Sequence, residues 1–145
     1  MDSNEAYYIL SFGYKGCEYT PDRTRRYSAF EVKADDGVFA GKTEFETTSE
    51  PIQHFAQELD EFYKSFSNNP VFVAGTGDDV LFRLVISKHD WRGNVAVECE
   101  IKRGSLGNSF DSVHTYNVVE LTKVDELARF FHRVLISEDP ETFQF

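Results

Sequence analysis

Residues 49–68 read SEPIQHFAQELDEFYKSFSN, and their hydrophobic spacing predicts an amphipathic α-helix. The large apolar residues recur at alternating intervals of three and four positions and share one stripe; they are Ile52, Phe55, Leu59, Phe62 and Phe66. Ser49 is the predicted N-cap, and Pro51 fits the first turn, where its missing N–H costs little. Asn69 and Pro70 are predicted to end the helix. Because a stripe so rich in Phe needs a broad apolar surface, we predict that the helix lies on a β-sheet.

The remaining apolar segments predict strands. Residues 94–103 alternate most clearly, with Val95, Val97, Cys99 and Ile101 facing the core. The residues between them are predicted to face solvent; they are Asn94, Ala96, Glu98, Glu100 and Lys102. A strand with one wet face indicates an antiparallel sheet that is covered on one side. The other predicted strands are residues 6–14, 27–34, 38–47, 71–74, 80–88 and 112–121. The predicted fold class is α+β, with an antiparallel sheet of about seven strands and two amphipathic helices packed on one face.

The second predicted helix, residues 122–135, carries the same apolar pattern as the first at a constant shift of 72 residues. The matching pairs are Ile52 and Val124, Phe55 and Leu127, Leu59 and Phe131, and Phe62 and Val134. Each helix also follows a predicted strand. We therefore expect two β-β-β-α pseudo-repeats, about residues 6–68 and 71–137, fused into one core within a single domain, 1–145.

Two local features qualify the strands. Gly41 lies inside a predicted strand, which indicates a bulge or a close approach of another segment. Residues 15–25 are predicted to form a polar loop, next to a basic cluster of Arg23, Arg25 and Arg26. We interpret that cluster as solvated and ion-paired to nearby acids rather than as a phosphate site.

Charge and composition restrict the classes of partner. The chain has 145 residues, with 25 acidic and 15 basic side chains and a formal net charge of −10. This balance disfavours nucleic acid and anionic membranes as partners and permits attraction to a basic protein. The first residues lack a signal-peptide pattern, and no stretch approaches the roughly 20 apolar residues of a membrane span. With only Cys17 and Cys99 present, no disulfide is required, and we expect a cytoplasmic protein.

The sequence offers no clear catalytic or metal-binding motif. The four histidines do not stand at metal-ligand spacings, and Gly75 and Gly77 lack the remainder of a phosphate-binding loop. The turn HDWRG at residues 89–93 has a catalytic composition, but we favour a structural turn in which Trp91 folds back onto the sheet. We therefore predict no catalytic residues, no metal and no cofactor.

Three stretches resemble small bacterial immunity proteins of polymorphic toxin systems, in particular the group associated with WapI-type toxins. They are the mid-chain helix at residues 48–59, the strand that opens with Trp91-Arg92-Gly93, and the closing D-x-L-x-x-F helix at residues 122–135. Proteins of that family bind and neutralise a toxin domain without catalysis and without an obligatory cofactor. The resemblance implies a cognate toxin as the partner of this chain, and the net charge predicts that this toxin is basic. The resemblance transfers no individual binding residue.

The partner-binding residues predicted from charge are acids expected on the surface. They are Asp35 and Asp36 in a hairpin turn, Glu58, Asp60 and Glu61 on the first helix, and Glu98 and Glu100 on the alternating strand. Two alternatives stay open. A non-catalytic ligand- or peptide-binding module would be favoured by a groove lined by Tyr7, Tyr8, Trp91 and Tyr116. An enzyme would need two histidines and a carboxylate within hydrogen-bond reach in one pocket.

Overall fold

The computed structural model describes residues 10–35, 37, 40–75, 81–102 and 112–145, which contain eight strands and two helices. In chain order these are β1 (Leu10–Tyr19), β2 (Arg26–Asp35), β3 (Ala40–Thr48), α1 (Ser49–Ser65), β4 (Val71–Ala74), β5 (Phe82–Lys88), β6 (Asn94–Lys102), β7 (Ser112–Glu120), α2 (Thr122–Val134) and β8 (Glu141–Gln144). Residues 6–9 of the first predicted strand lie outside the described residues.

The strands form two antiparallel sheets of four. Sheet 1 has the order β3-β2-β1-β8, and sheet 2 has the order β4-β5-β6-β7. The α+β class and the antiparallel pairing are confirmed, whereas the prediction of one sheet of about seven strands is wrong. The physical reason is α1, whose 17 residues carry the chain away from the edge of β3, so that β4 starts a second sheet. The additional strand is β8, which pairs with β1.

Both sheets and both helices contribute to one continuous hydrophobic core. Phe131 of α2 lies near its centre, with ring centroids 5.3 Å from Phe12 in sheet 1 and 5.4 Å from Phe55 in α1. Four residues of the predicted stripe of α1 are confirmed, because Ile52, Phe55, Leu59 and Phe62 are all buried. The fifth, Phe66, follows the end of the helix and is partly buried. The predicted inward residues of β6 are also buried, but Ala96, which was predicted to face solvent, is buried as well. Phe143 of β8 is buried too.

The ends of α1 differ in detail from the prediction. Its N-cap is Thr48 rather than Ser49, and the Thr48 side chain makes no capping hydrogen bond. The helix ends at Ser65, before Asn69 and Pro70, because Phe66 adopts a left-handed conformation with φ 54°. There the Phe66 ring packs edge-on against Phe62, with centroids 5.1 Å apart. Within the described ranges, no helix is long and apolar enough to span a membrane.

β1 extends further than predicted. The strand continues to Tyr19 through residues that were expected to form a loop, with a register shift between Tyr14 and Gly16. The bulge is therefore in β1, where Gly16 has φ 112°. At Gly41 the expected feature is a close approach: an added Cβ would lie 2.8 Å from Cγ2 of Val113 on β7.

Arg26 does not belong to a solvated, ion-paired cluster. Its guanidinium donates hydrogen bonds of 2.9 Å to the carbonyl oxygens of Val134 and Leu135, and of 2.6 Å to that of Ser137. The carbonyls of Val134 and Leu135 lie at the end of α2, where the last carbonyls have no partner within the helix, and Ser137 lies three residues beyond it. Arg26 therefore caps α2 and fastens it to sheet 1, which corrects the prediction for this residue.

The pseudo-repeats stay a prediction. β3 and β7 span Ala40–Thr48 and Ser112–Glu120, which are 72 residues apart at both ends, and each strand runs into a helix. The predicted halves are not separate units, however, because sheet 1 is completed by β8 from beyond the second half.

Candidate protein-binding face

The predicted acidic residues do not share one surface. Glu98 and Glu100 lie on β6, Glu58, Asp60 and Glu61 lie on α1, Asp35 ends β2, and Asp36 lies outside the described residues. Only the first two groups border the same sheet, because α1 contacts the edge of sheet 2 through Glu58.

Asp35 and Asp60 each make a contact that supports the fold. Oδ1 of Asp35 accepts a 2.8 Å hydrogen bond from the amide of Gly37, which supports the turn after β2. Oδ2 of Asp60 lies 2.8 Å from Nε2 of His132, and this contact joins α1 to α2. Both carboxylates thus hold elements of the fold in place.

Glu58 and Glu61 place negative charge beside β4. Oε1 of Glu58 accepts a 3.3 Å hydrogen bond from the amide of Val71 and lies 3.8 Å from Nδ1 of His54. Glu61 follows three residues later, on the same side of the helix, and is exposed. Glu58 and Glu61 therefore form an acidic border along the edge of sheet 2, and Lys64 follows in the last turn of the helix.

The outward side chains of sheet 2 form two cross-strand rows. One row is Val71, Val85, Glu98 and Tyr116, and the other is Val73, Arg83, Glu100 and His114. We call these eight residues the outer face of sheet 2. Residues directly opposite each other on neighbouring strands lie about 4.5–5.5 Å apart, so the face presents apolar and charged groups side by side.

A cleft of 400 Å³ opens on this face. It is lined by Arg83, Val85, Glu98, Glu100 and His114. Nε2 of His114 lies 2.9 Å from Oε2 of Glu98, so the imidazole orients one of the two predicted carboxylates. The cleft holds one histidine rather than the two required for the enzyme alternative. Its mixture of carboxylates, a guanidinium and an imidazole suits polar recognition of another surface.

Three large side chains on β7 and in the turn between β5 and β6 are exposed. Trp91 is 92% exposed, Tyr116 is 55% exposed and Val118, next along β7, is 45% exposed. The prediction that Trp91 folds back onto the sheet is therefore wrong. Trp91 stands at the tip of the turn between β5 and β6, where it contacts solvent instead of the core.

Asp90 explains why the Trp91 turn has this shape. Its Oδ1 accepts hydrogen bonds from the amides of Arg92 at 2.8 Å and Asn94 at 3.2 Å, and its Oδ2 accepts one from Nδ2 of Asn94 at 2.9 Å. The Asn94 side chain contributes most to holding the pKa of the Asp90 carboxyl below its ordinary value. Asp90 thus has a structural role, as favoured from the sequence.

Sequence reasoning missed Arg83 and His114 as members of the site. The sequence did indicate which way they point, since His114, Tyr116 and Val118 occupy alternate positions of one predicted strand and Arg83 interrupts an apolar run. Alternation within a strand does not show which strands are neighbours, so it could not place these residues beside Glu98 and Glu100.

A second cleft, of 580 Å³, lies against the β1 bulge in sheet 1. Glu18, Glu44, Glu46 and Glu138 surround it together with Lys15. Lys15 is hydrogen-bonded to Glu44, which raises the pKa of the lysine and lowers the pKa of the carboxyl. Internal ion pairing thus occupies the only cation in this lining, and the cleft lacks the exposed aromatic groups of the outer face.

The cysteines show no metal or disulfide chemistry in the described part of the chain. Both thiols are free, and Cys99 is buried as predicted. Burial raises the pKa of Cys99 to about 12, so it behaves as a small hydrophobic residue. Among the described residues, no group of three or more His, Cys, Asp or Glu side chains is arranged to hold a metal ion.

Comparison of the chain with protein-family models finds no match, and comparison with curated proteins finds none either.

Proposed function

We propose that this chain binds another protein through the outer face of sheet 2 and, as the resemblance to immunity proteins implies, neutralises a cognate toxin domain in the cytoplasm. The observation that supports this most directly is the exposure of Tyr116 and Val118 on β7, beside a charged cleft, together with that of Trp91 in the turn between β5 and β6. Trp and Tyr are enriched among the residues that dominate binding energy, and exposed apolar clusters with a polar rim are typical of protein interfaces.

Charge supports a basic partner. The net charge of −10 would steer a positively charged domain toward the chain, and Glu98 and Glu100 lie within the outer face. A basic toxin domain would be attracted both by the net charge and by these two carboxylates. The acids on α1 extend the negative potential past the β4 edge of the same sheet.

The cleft of 400 Å³ favours a second candidate function, a ligand- or peptide-binding module. Its volume lies within the range of about 300–1,000 Å³ that is usual for small-molecule sites. Such sites are mostly apolar, whereas this lining is mainly charged, so a protein partner is the better match. Tyr7 and Tyr8 of the expected groove lie outside the described residues.

The test starts from the gene beside the one for this chain: where it encodes a large secreted protein with a toxin-like C-terminal domain, that domain is the trial partner. Co-expression with this chain should restore growth to cells that the domain inhibits, and the two purified proteins should form a complex. Trp91→Ala should weaken that complex at least about tenfold without changing the folding midpoint, because Trp91 contacts no core residue.

Ile136 supplies the matched control, since it is another exposed apolar residue, 86% exposed, but it follows α2. Ile136→Ala should leave binding within about twofold of the original chain. Equal binding by the Trp91 and Ile136 variants would remove the turn between β5 and β6 from the binding surface. Failure of the chain to bind or rescue would contradict the neutralising function itself.

A further inference from the structure

The edge of sheet 2 at β4 has a defined hydrogen-bonding pattern. In the described part of the chain, β4 pairs with β5 on one side and ends the sheet on the other. The amide of Ile86 on β5 donates a 3.0 Å hydrogen bond to the carbonyl of Pro70, just before β4. Because alternate residues of a strand direct their backbone groups to opposite edges, Phe72 and Ala74 also face β5. Val71 and Val73 therefore face away from the sheet.

The contact made by Glu58 agrees with this pattern. The outward amide of Val71 donates to the Glu58 carboxylate at 3.3 Å. For the outward amide and carbonyl of Val73, the structure gives no hydrogen-bond partner among the described residues. Unpaired groups of this kind at a sheet edge are a template for an added strand. The Glu58 carboxylate occupies only the Val71 amide, so the template stays open at Val73.

The side chains around this edge indicate the chemistry of its occupant. Val71 and Val73 are 37% and 42% exposed, so they offer apolar contacts on the outer face. Glu58 and Glu61 on α1 offer negative charge alongside. Pairing of two β4 edges from two copies of this chain would bring both acidic borders and two net charges of −10 together. A segment with basic and small apolar residues in alternation fits this edge better.

We propose that β4 binds an extended, basic segment of the protein partner as an additional strand of sheet 2. This inference rests on the proposed function, because the segment belongs to the same partner that contacts the outer face. Backbone hydrogen bonds to Val73 provide the affinity. Apolar side chains of the segment lie against Val71 and Val73, while its lysines or arginines approach Glu58 and Glu61.

The probe is a short synthetic peptide of alternating lysine and valine, labelled for fluorescence anisotropy. Val73→Pro removes the outward amide, and because that amide does not pair with β5, the fold should tolerate it. Val73→Thr is the matched control, since it keeps both the amide and the β-branched shape. The proline variant should bind the peptide at least about tenfold more weakly, and the threonine variant should stay within about threefold of the original chain.

Two altered peptides test the same contact without a variant protein. A version of the peptide with N-methylated backbone amides should lose binding, since it cannot add as a strand. A version with glutamate in place of lysine should also lose binding, since it would meet Glu58 and Glu61. Retention of binding by the N-methylated peptide would overturn strand addition, whether or not Val73→Pro folds.

The partner complex separates this inference from the proposed function. If Trp91→Ala weakens the complex and Val73→Pro does not, strand addition is overturned while the binding function stands. If sedimentation instead shows a dimer of this chain that Val73→Pro abolishes, a second copy occupies the edge and the basic segment is overturned. The proposal is supported if Val73→Pro weakens both the complex with the partner and the binding of the peptide.

Discussion

The guanidinium of Arg26 donates a 3.0 Å hydrogen bond to the hydroxyl of Tyr14, and both side chains donate to the carbonyl oxygen of Ser137 at 2.6 Å. Tyr14 is buried in sheet 1, and burial is the main cause that raises its pKa to about 12. The pair thus joins β1 and β2 to the end of α2, across more than 100 residues of sequence.

Arg26→Ala is expected to lower the free energy of unfolding by about 2–3 kcal/mol, because three backbone carbonyls lose a charged donor. Arg26→Lys should give an intermediate value, since a single ammonium cannot reproduce the guanidinium fork. Denaturant unfolding measures both effects. Arg25→Ala, in the exposed turn just before β2, is the control and should change stability by less than about 0.5 kcal/mol. Equal effects at the two positions would show that Arg26 does not fasten α2.

Leu59→Ala is expected to cost about 2–5 kcal/mol, because Leu59 is fully buried in the stripe of α1 and its loss leaves a cavity. The measurement is the denaturant midpoint at an unchanged m-value. Gln57→Ala, on the exposed side of the same helix, should have little effect. A midpoint for Leu59→Ala close to that of Gln57→Ala would mean that α1 is peripheral to the core.

The elements that sequence analysis placed well depend on local periodicity. The stripe of α1 and the alternation of β6 follow from spacings within a few residues. The division into two sheets could not be predicted in this way, because it depends on pairing such as Ser11 with Gln144. Loop closure over such distances leaves no local pattern in the sequence.

The candidate site shows the same limit. Glu98 and Glu100 were correctly placed on an outward strand face, since their alternation with buried residues is visible within one short segment. The neighbours that give them chemical meaning, such as Arg83 and His114, come from other strands and depend on register. The structural partner of Asp60 is His132, 72 residues away, so its role in joining the helices was not evident from charge.

Asp90 and His89 are expected to respond differently to truncation. Asp90→Ala removes the acceptor of two turn amides and of the Asn94 side chain, so the melting temperature should fall by several degrees. His89→Ala, at an exposed side chain, should leave it nearly unchanged. Since the folded state lowers the pKa of Asp90 from 3.8, its contribution is present above that pH and disappears as the pH falls further. Thermal unfolding at pH 7 and at pH 2 should therefore show a smaller Asp90→Ala difference at the lower pH.

Because of the buried Cys99 thiol, we expect the folded protein to lose stability at alkaline pH. Burial raises the pKa of its thiol from 9.0 to about 12, so between these values the unfolded chain loses a proton that the folded chain retains. Ionisation then favours the unfolded state, and stability falls as the pH rises through this window. Cys99→Ala should be less stable at neutral pH but should show a shallower decline above pH 9.0. Identical slopes for the two proteins would mean that the thiol ionises equally in both states.

The final prediction concerns the rate of association with a basic partner. Complementary charges accelerate encounter, and salt screens that attraction over about 8–10 Å at physiological ionic strength. The association rate measured by stopped flow should therefore fall as salt is raised, while the dissociation rate changes much less. Glu98→Lys combined with Glu100→Lys should slow association further at low salt, because both carboxylates belong to the outer face.

Glu18→Lys combined with Glu46→Lys is the matched charge control, since it changes the net charge of the whole chain equally but at exposed positions of β1 and β3 in sheet 1. Net charge acts on encounter from all sides, whereas a local contact acts only where the surfaces meet. If the outer face of sheet 2 is the binding surface, the Glu98 and Glu100 variant should lose more rate than this control at the same ionic strength. Equal losses would assign the steering to net charge alone, and a rate independent of salt would leave shape complementarity to explain the association.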